Sequence, residues 1–282
     1  MQAIADVISQ LNNTRMGLTS EICREHKVHA NGKEYVKEIK KISFDGEVFC
    51  PLCERERTTQ ELSEEEDLKI KRAMGRRKYD KFHNQSVVTD EGLFEASFTT
   101  YAATKKEEIR NKELASKAFT SYRDGGTFTT WFAGDPGVGK SHLGMSILRN
   151  LNESGEKDKS CLFISVDEMF LRIRDSFDNK DSRYTEHYFA KLLTDVDYLV
   201  LDDLGTETGG SGTKKTASDF VMRVLYAITN GRQNKSTIVT TNLTREELEK
   251  MYDRKLVSRL MKNIFVINFE ETTDKRIKKY GI

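Results

Sequence analysis

Short apolar runs rich in β-branched and aromatic residues recur through the second half of the chain, at residues 127–133, 161–166, 198–201, 237–241 and 264–269. Between them, residues 142–151 and 217–228 place apolar side chains at helical spacing. Strands that alternate with amphipathic helices predict a parallel sheet with helices on both faces. The pattern changes before about residue 94. Residues 1–58 carry only short β-like runs, at 36–44 and 48–49. Residues 59–81 have few large apolar side chains and two blocks of charge: Glu64, Glu65, Glu66 and Asp67, then Lys69, Lys71, Arg72, Arg76, Arg77 and Lys78. Such a stretch is a solvated helix or linker. The expected organisation is a small domain at 1–58, a charged linker at 59–93 and an α/β domain at 94–282. No internal repeat is visible.

Composition adds limits. Charged residues make up 32% of the 282, yet the formal net charge is +1 and the mean hydropathy is −0.62. A basic surface for nucleic acid must therefore be local. No run of about 18 apolar residues marks a membrane span, and the N-terminus lacks the basic-then-apolar order of a secretion signal. A cytoplasmic protein without membrane contact is expected. Three of the four cysteines lie before residue 54, and in a reducing compartment clustered thiols point to metal.

Two sets of residues carry chemistry. Gly134, Asp135, Pro136, Gly137, Val138, Gly139, Lys140 and Ser141 satisfy G-x-x-x-x-G-K-[ST] between a predicted strand and a predicted helix. Glycines let consecutive N–H groups wrap phosphates, and the helix N-terminus adds its positive dipole end. Lys140 is expected to reach the β and γ phosphates of ATP, and the Ser141 hydroxyl to ligate Mg²⁺. The apolar run 198–201 ends in Asp202 and Asp203, which would face the same crevice: Asp202 for the Mg²⁺ shell, Asp203 to orient the attacking water. The second set is Cys23-x-x-His26 followed, after 23 intervening residues, by Cys50-x-x-Cys53. Two chelating pairs suit tetrahedral, structural Zn²⁺, with His29 as an alternative to His26. Metal would also stabilise a domain of roughly 55 residues that can bury little apolar surface.

Over about residues 94–280 the chain resembles the DnaC/DnaI helicase loaders and the related IstB transposition ATPases. The resemblance rests on Ala96-Ser97-Phe98, on GDPGVGKSHL at 134–143 (which adds His142 to the nucleotide loop), on Asp202-Asp203-Leu204-Gly205-Thr206-Glu207, on Thr240-Thr241-Asn242-Leu243 and on Val257-Ser258-Arg259-Leu260. It implies a P-loop AAA+ fold, a three-layer αβα domain with a central parallel sheet, preceded by a small zinc-binding domain; as a departure from the usual pattern, the short stretch after the last predicted strand leads to the expectation of no full helical lid. It implies that Asn242 is the sensor-1 residue and that Arg259 is the arginine finger for a neighbouring subunit. Asn242 has a second reading as a helix cap near Thr244, and Arg254 or Lys255 are alternative fingers. Most AAA+ ATPases carry Glu where this chain has Asp203; Glu207 is a substitute base to consider, and Arg276 a stand-in for the lid arginine. The resemblance further implies an N-terminal domain that engages a hexameric DnaB-type replicative helicase, a homo-oligomeric ring or spiral, and a helix near residues 170–177 lining a groove for single-stranded DNA. Phe177 and Arg174 would lie in that groove, with Lys214 and Lys215 on a glycine-rich loop gripping phosphates; Phe170 and Leu171 read as core. The expected function is ATP-dependent helicase loading. The alternatives are an IstB-like transposition regulator and a nucleotide-binding adaptor that sequesters a replication protein.

Overall fold

The computed structural model describes residues 16–30, 32–207 and 216–276. Backbone contacts divide the chain into two compact units, residues 1–72 and 73–282.

In the first unit, β1 (Gly17–Ala30), β2 (Lys33–Phe44) and β3 (Glu47–Phe49) form an antiparallel sheet in that order. Helix α1 (Pro51–Gln85) begins directly after it and runs on into the second unit. The acidic and basic blocks of residues 64–78 thus lie on a helix, most of whose residues are exposed to solvent. Ion pairs such as Glu65–Lys69 and Arg76–Asp80, one turn apart, line this helix, where packing contributes little.

The second unit holds a five-stranded parallel sheet in the order β5-β6-β7-β4-β8. Its strands are β4 (Thr129–Gly134), β5 (Cys161–Ser165), β6 (Tyr198–Asp202), β7 (Ser236–Thr241) and β8 (Ile264–Phe269). Side-chain alternation sorts each strand between two cores. Phe132, Phe163, Val200 and Ile238 face α2 (Lys106–Arg123) and α3 (Lys140–Glu153). Trp131, Ile164, Leu201 and Val239 face α4 (Val166–Asp178), α5 (Glu186–Asp195), α6 (Asp219–Gly231), α7 (Arg245–Met251) and α8 (Arg254–Leu260). The result is the expected αβα sandwich. The β5 edge is covered by Val87, which exchanges hydrogen bonds with Phe163 and Ser165 at 2.8 Å and so removes one open edge. Because all five strands run the same way, the ends of β4, β6 and β7 open on one rim, where a ligand crevice forms in such sheets. Among the described residues no helix is long and apolar enough to cross a membrane.

Candidate functional site

Strand β4 ends at Gly134 and α3 starts at Lys140, so residues 135–139 form the loop between them. Two of its glycines have no substitute. Gly137, at φ 80°, has the Asp274 carboxylate where a Cβ would stand; Gly139, at φ 99°, has the Tyr101 ring 2.7 Å from that position. A side chain at either would combine left-handed strain with a clash. Val138 is buried beneath the loop.

Lys140 lies at the centre of the rim. Its Nζ donates to the carbonyls of Gly134 and Asp135, both at 2.8 Å, and to Asn242 Oδ1 at 2.7 Å. Burial lowers its pKa, opposed by Asp203, Asp202 and Asp135. The three partners come from the ends of β4 and β7, and the two aspartates from the end of β6. Asn242 does not cap α7: Thr244 does, in a reciprocal capping box with Glu247, which leaves the Asn242 amide for the crevice.

Asp202 is buried and accepts from Thr240 Oγ1 at 2.7 Å and from Ser141. Burial and the adjacent Asp203 push its pKa up to about 7, while Thr240, Ser141 and Lys140 pull it down. A buried carboxyl whose charge Lys140 only partly offsets is an environment into which a divalent cation fits. Asp203 sits at φ 55°, a conformation aspartate tolerates better than most residues, and its N–H donates to Thr240 Oγ1 at 2.8 Å. Burial raises its pKa and Lys140 opposes this. Glu207 is not free to act as a base: it is buried, Gly205 N–H donates to one oxygen at 2.9 Å and the Tyr252 hydroxyl to the other.

His142 turns away from the phosphate loop. Its Nε2 bonds the Ser97 carbonyl at 2.9 Å and lies 3.2 Å from Thr100 Oγ1, and its ring meets Tyr101 edge-on. It ties the segment before α2 to the loop helix.

Sequence reading singled out Arg276 after β8 but missed that the segment carrying it crosses the loop. After β8, the N–H groups of Glu270 and Glu271 donate to the two oxygens of buried Glu107, at 2.7 and 2.5 Å. Lys275 N–H then donates to Gly137 O at 3.0 Å. The Lys275 ammonium lies 3.8 Å from the Tyr101 ring centre and 3.5 Å from Glu108. Against burial, the Lys105 and Thr104 N–H groups and Lys275 hold Glu108 at about 2. Arg276 bears on Lys140 and Asp203 electrostatically, so its charge lies near the crevice.

The remaining expected residues lie elsewhere. Arg259 lines a cleft with Thr127, Lys262 and Asn263, at the starts of β4 and β8, the opposite end of the sheet from the loop of the same chain. Phe177 is 58% exposed and meets Phe220 edge-on at 5.5 Å; Arg174 is exposed beside it. Phe170 is core, but Leu171 is 49% exposed because it lies on the solvent side of α4. Lys214 and Lys215 lie outside the described residues.

In the first unit, Cys23, His26, Cys50 and Cys53 present ligand atoms that all lie within 4.8 Å of one another. Residues three apart on a regular strand face opposite ways. Here Cys23 pairs with Ile39 and His26 with Lys37, so three steps on β1 oppose two on β2. The extra residue is a bulge that turns both side chains to one side. Cys50 and Cys53 stand at the start of α1, one turn apart. Cys23 Sγ lies 3.7 Å from Cys53 Sγ, and His26 Nε2 lies 3.3 and 3.1 Å from the Cys50 and Cys53 sulfurs. A tetrahedral Zn²⁺ with Zn–S near 2.3 Å has edges of about 3.7 Å, so the cluster fits that ion. Burial works against ionisation of Cys50, but the Cys53 N–H, His26 and the Leu52 N–H bring its thiol down to about 7, as expected for a sulfur at a helix N-terminus. His26 turns Nδ1 to Glu56 at 3.5 Å, leaving Nε2 for the cluster. His29 is exposed and pairs with Glu34, so it is not the fourth ligand.

A parallel αβα sandwich with a glycine-rich loop and lysine after its first strand, and an aspartate pair two strands away, defines a P-loop nucleotide-binding protein of AAA+ architecture. The chain belongs to the IstB-like ATP-binding protein family, which matches residues 57–268. It is 27% identical over 164 residues to a protein of Escherichia coli K12 named replicative helicase loader DnaC. That match covers 58% of this chain and 62% of the relative, and the chain spans about half to three-fifths of the length of the curated relatives it matches. The fold is similar to that of DnaI (TM-score 0.51, 20% identity, 65% of this chain and 95% of that one). It is also similar to AMPPCP-bound DnaA from Aquifex aeolicus (TM-score 0.50, 17% identity, 64% and 52%).

Proposed function

We propose that this chain is an ATP-dependent loader that engages a hexameric replicative helicase and delivers it onto single-stranded DNA. The observation that carries the reading is the joint presence of the Lys140–Asn242–Asp202–Asp203 crevice and the chain's similarity to proteins named replicative helicase loaders.

On this reading the loop N–H groups and Lys140 bind the phosphates of ATP. Lys140 exchanges its bonds to Gly134, Asp135 and Asn242 for phosphate oxygens, so the charge that it now shares with backbone carbonyls meets a stronger partner. Ser141 and Asp202 would hold Mg²⁺, which supplies neutralisation of charge on the phosphates. Asp203 orients the attacking water, and Asn242 reports on the γ-phosphate. Arg259, remote from its own loop, serves the site of a neighbouring copy, which makes hydrolysis depend on assembly. The Cys23, His26, Cys50 and Cys53 cluster would hold a structural Zn²⁺ and shape the surface that docks on the helicase. Phe177 and Arg174 offer stacking and charge for single-stranded DNA.

The test is reconstitution. The full chain, the replicative helicase of the same source and circular single-stranded DNA are mixed with ATP, and DNA-bound helicase is counted. Helicase transfer that requires ATP and an intact Lys140 is the expected result. Capture of a transposase in place of the helicase would support the IstB-like alternative.

A further inference from the structure

We propose that Tyr226 is the positioning residue for Arg259, holding the guanidinium that completes a neighbouring copy's nucleotide site; the inference rests on the finger reading given above. Tyr226 is half-buried on α6, a different helix from the α8 that carries Arg259. It touches the Arg259 helix in two places. Its ring lies 5.3 Å from Arg259 Cζ, within the range of a cation–π contact. Its hydroxyl donates to both oxygens of Asp253, and Asp253 caps α8 by accepting from Leu256 N–H at 2.8 Å.

The two contacts act together. The Tyr226 hydroxyl, followed by the Leu256 N–H, lowers the Asp253 pKa, while burial and then the Asp253 bond raise that of Tyr226. Tyr226 therefore stays a donor and Asp253 stays charged at neutral pH. Helix α8 has seven residues, only about two turns. A single side chain thus braces the start of the helix and the guanidinium near its end. The hydrogen bond from Arg259 to the Lys255 carbonyl is long, at 3.4 Å, and too weak to orient a side chain with this many rotors. A flat ring beneath the guanidinium restricts it to one plane. Phosphoryl transfer is sensitive to placement of a stabilising cation on the scale of an ångström, so loss of the ring should act on turnover and leave ground-state binding alone.

The experiment uses the full chain with Tyr226→Leu, Tyr226→Phe, Arg259→Ala and Lys140→Ala. Tyr226→Met is carried in parallel and read in the same way should the leucine variant fail to fold. Affinity for a fluorescent ATP analogue is expected to be unchanged in both Tyr226 variants. Hydrolysis should fall about tenfold in Tyr226→Leu and less in Tyr226→Phe, which keeps the ring. Mixing then separates a finger defect from a defect in the chain's own site. Tyr226→Leu with Lys140→Ala should regain activity, because intact loops meet intact fingers. Tyr226→Leu with Arg259→Ala should stay low, because neither supplies a finger. Recovery in that last mixture overturns the proposal, since Tyr226 would then serve its own subunit's site. Full turnover by Tyr226→Leu beside an inactive Arg259→Ala also overturns it and leaves the finger standing. Full turnover by Arg259→Ala removes the finger reading itself, and this inference with it.

Discussion

Lys140 and Asp202 show how single residues set the behaviour of the crevice. Lys140 is buried and shares its charge with two carbonyls and Asn242. Lys140→Ala removes the loop's cation, and binding of a fluorescent ATP analogue should be abolished; retained binding would refute the site. Asp202 makes a pH-dependent prediction. Its native pKa of about 7 lies above the ordinary 3.8, so between these values the native state binds more protons than the unfolded chain. Stability must then fall as pH rises through that window. Asp202→Asn removes the buried charge and should raise the melting temperature of nucleotide-free protein at pH 8, by the equivalent of about 2–4 kcal/mol. Near pH 4 the difference should vanish. Thermal scans across pH 4–8 check this, and a difference independent of pH would contradict it.

At the scale of elements, the bulge in β1 and the start of α1 jointly bring together the four groups that would hold Zn²⁺. Each pair supplies only two of the four ligands a structural Zn²⁺ takes, and 23 residues separate His26 from Cys50. Full-length protein purified without chelator should contain one Zn²⁺ per chain, and chelation should cost the β1–β3 sheet its far-UV signal while the parallel sheet persists. Cys50→Ser should give the same loss without chelator. Absence of zinc, or an unchanged spectrum, would count against the site. Much of the parallel sheet was legible beforehand, because each strand is a short run apolar on both faces and ends at a turn. Helix α2 was not anticipated. It buries Glu107, Glu108 and Asn111, and these polar residues blur its apolar stripe. The burial of Glu107 and Asn111 makes sense only through Glu270, Glu271 and Asn268, more than 150 positions away, whereas Glu108 is met both by the nearby Thr104 and Lys105 N–H groups and by the distant Lys275.

For the whole molecule, the distance between Arg259 and its own loop carries the main consequence. On the proposed finger reading, an Arg259 held at the far end of the sheet from its own loop would need another copy to act on. Arg259→Ala should bind nucleotide almost normally but hydrolyse it about 10³-fold more slowly. Mixed with Lys140→Ala, which is also inactive, it should regain part of the turnover, since some intact loops then face intact fingers. A mixture that stays inactive while mixed oligomers form would exclude the assignment.

What the sequence by itself determined is local. The loop glycines and Lys140, the apolar run ending in Asp202 and Asp203, and the paired Cys and His spacings are each complete within a few residues, because backbone cradles, strand ends and chelating pairs are short-range chemistry. Asn242 and Arg259 could be pointed to only through family resemblance. Tertiary structure decided what depends on partners distant in sequence. It chose His26 over His29 through the register of β1 on β2, and it removed Glu207 from consideration by giving both its oxygens partners. It also set Tyr226 beneath Arg259 and laid Lys275 across the Gly137 carbonyl. Those outcomes follow from which faces the packed sheet and helices bring together, and no periodicity along the chain encodes that pairing.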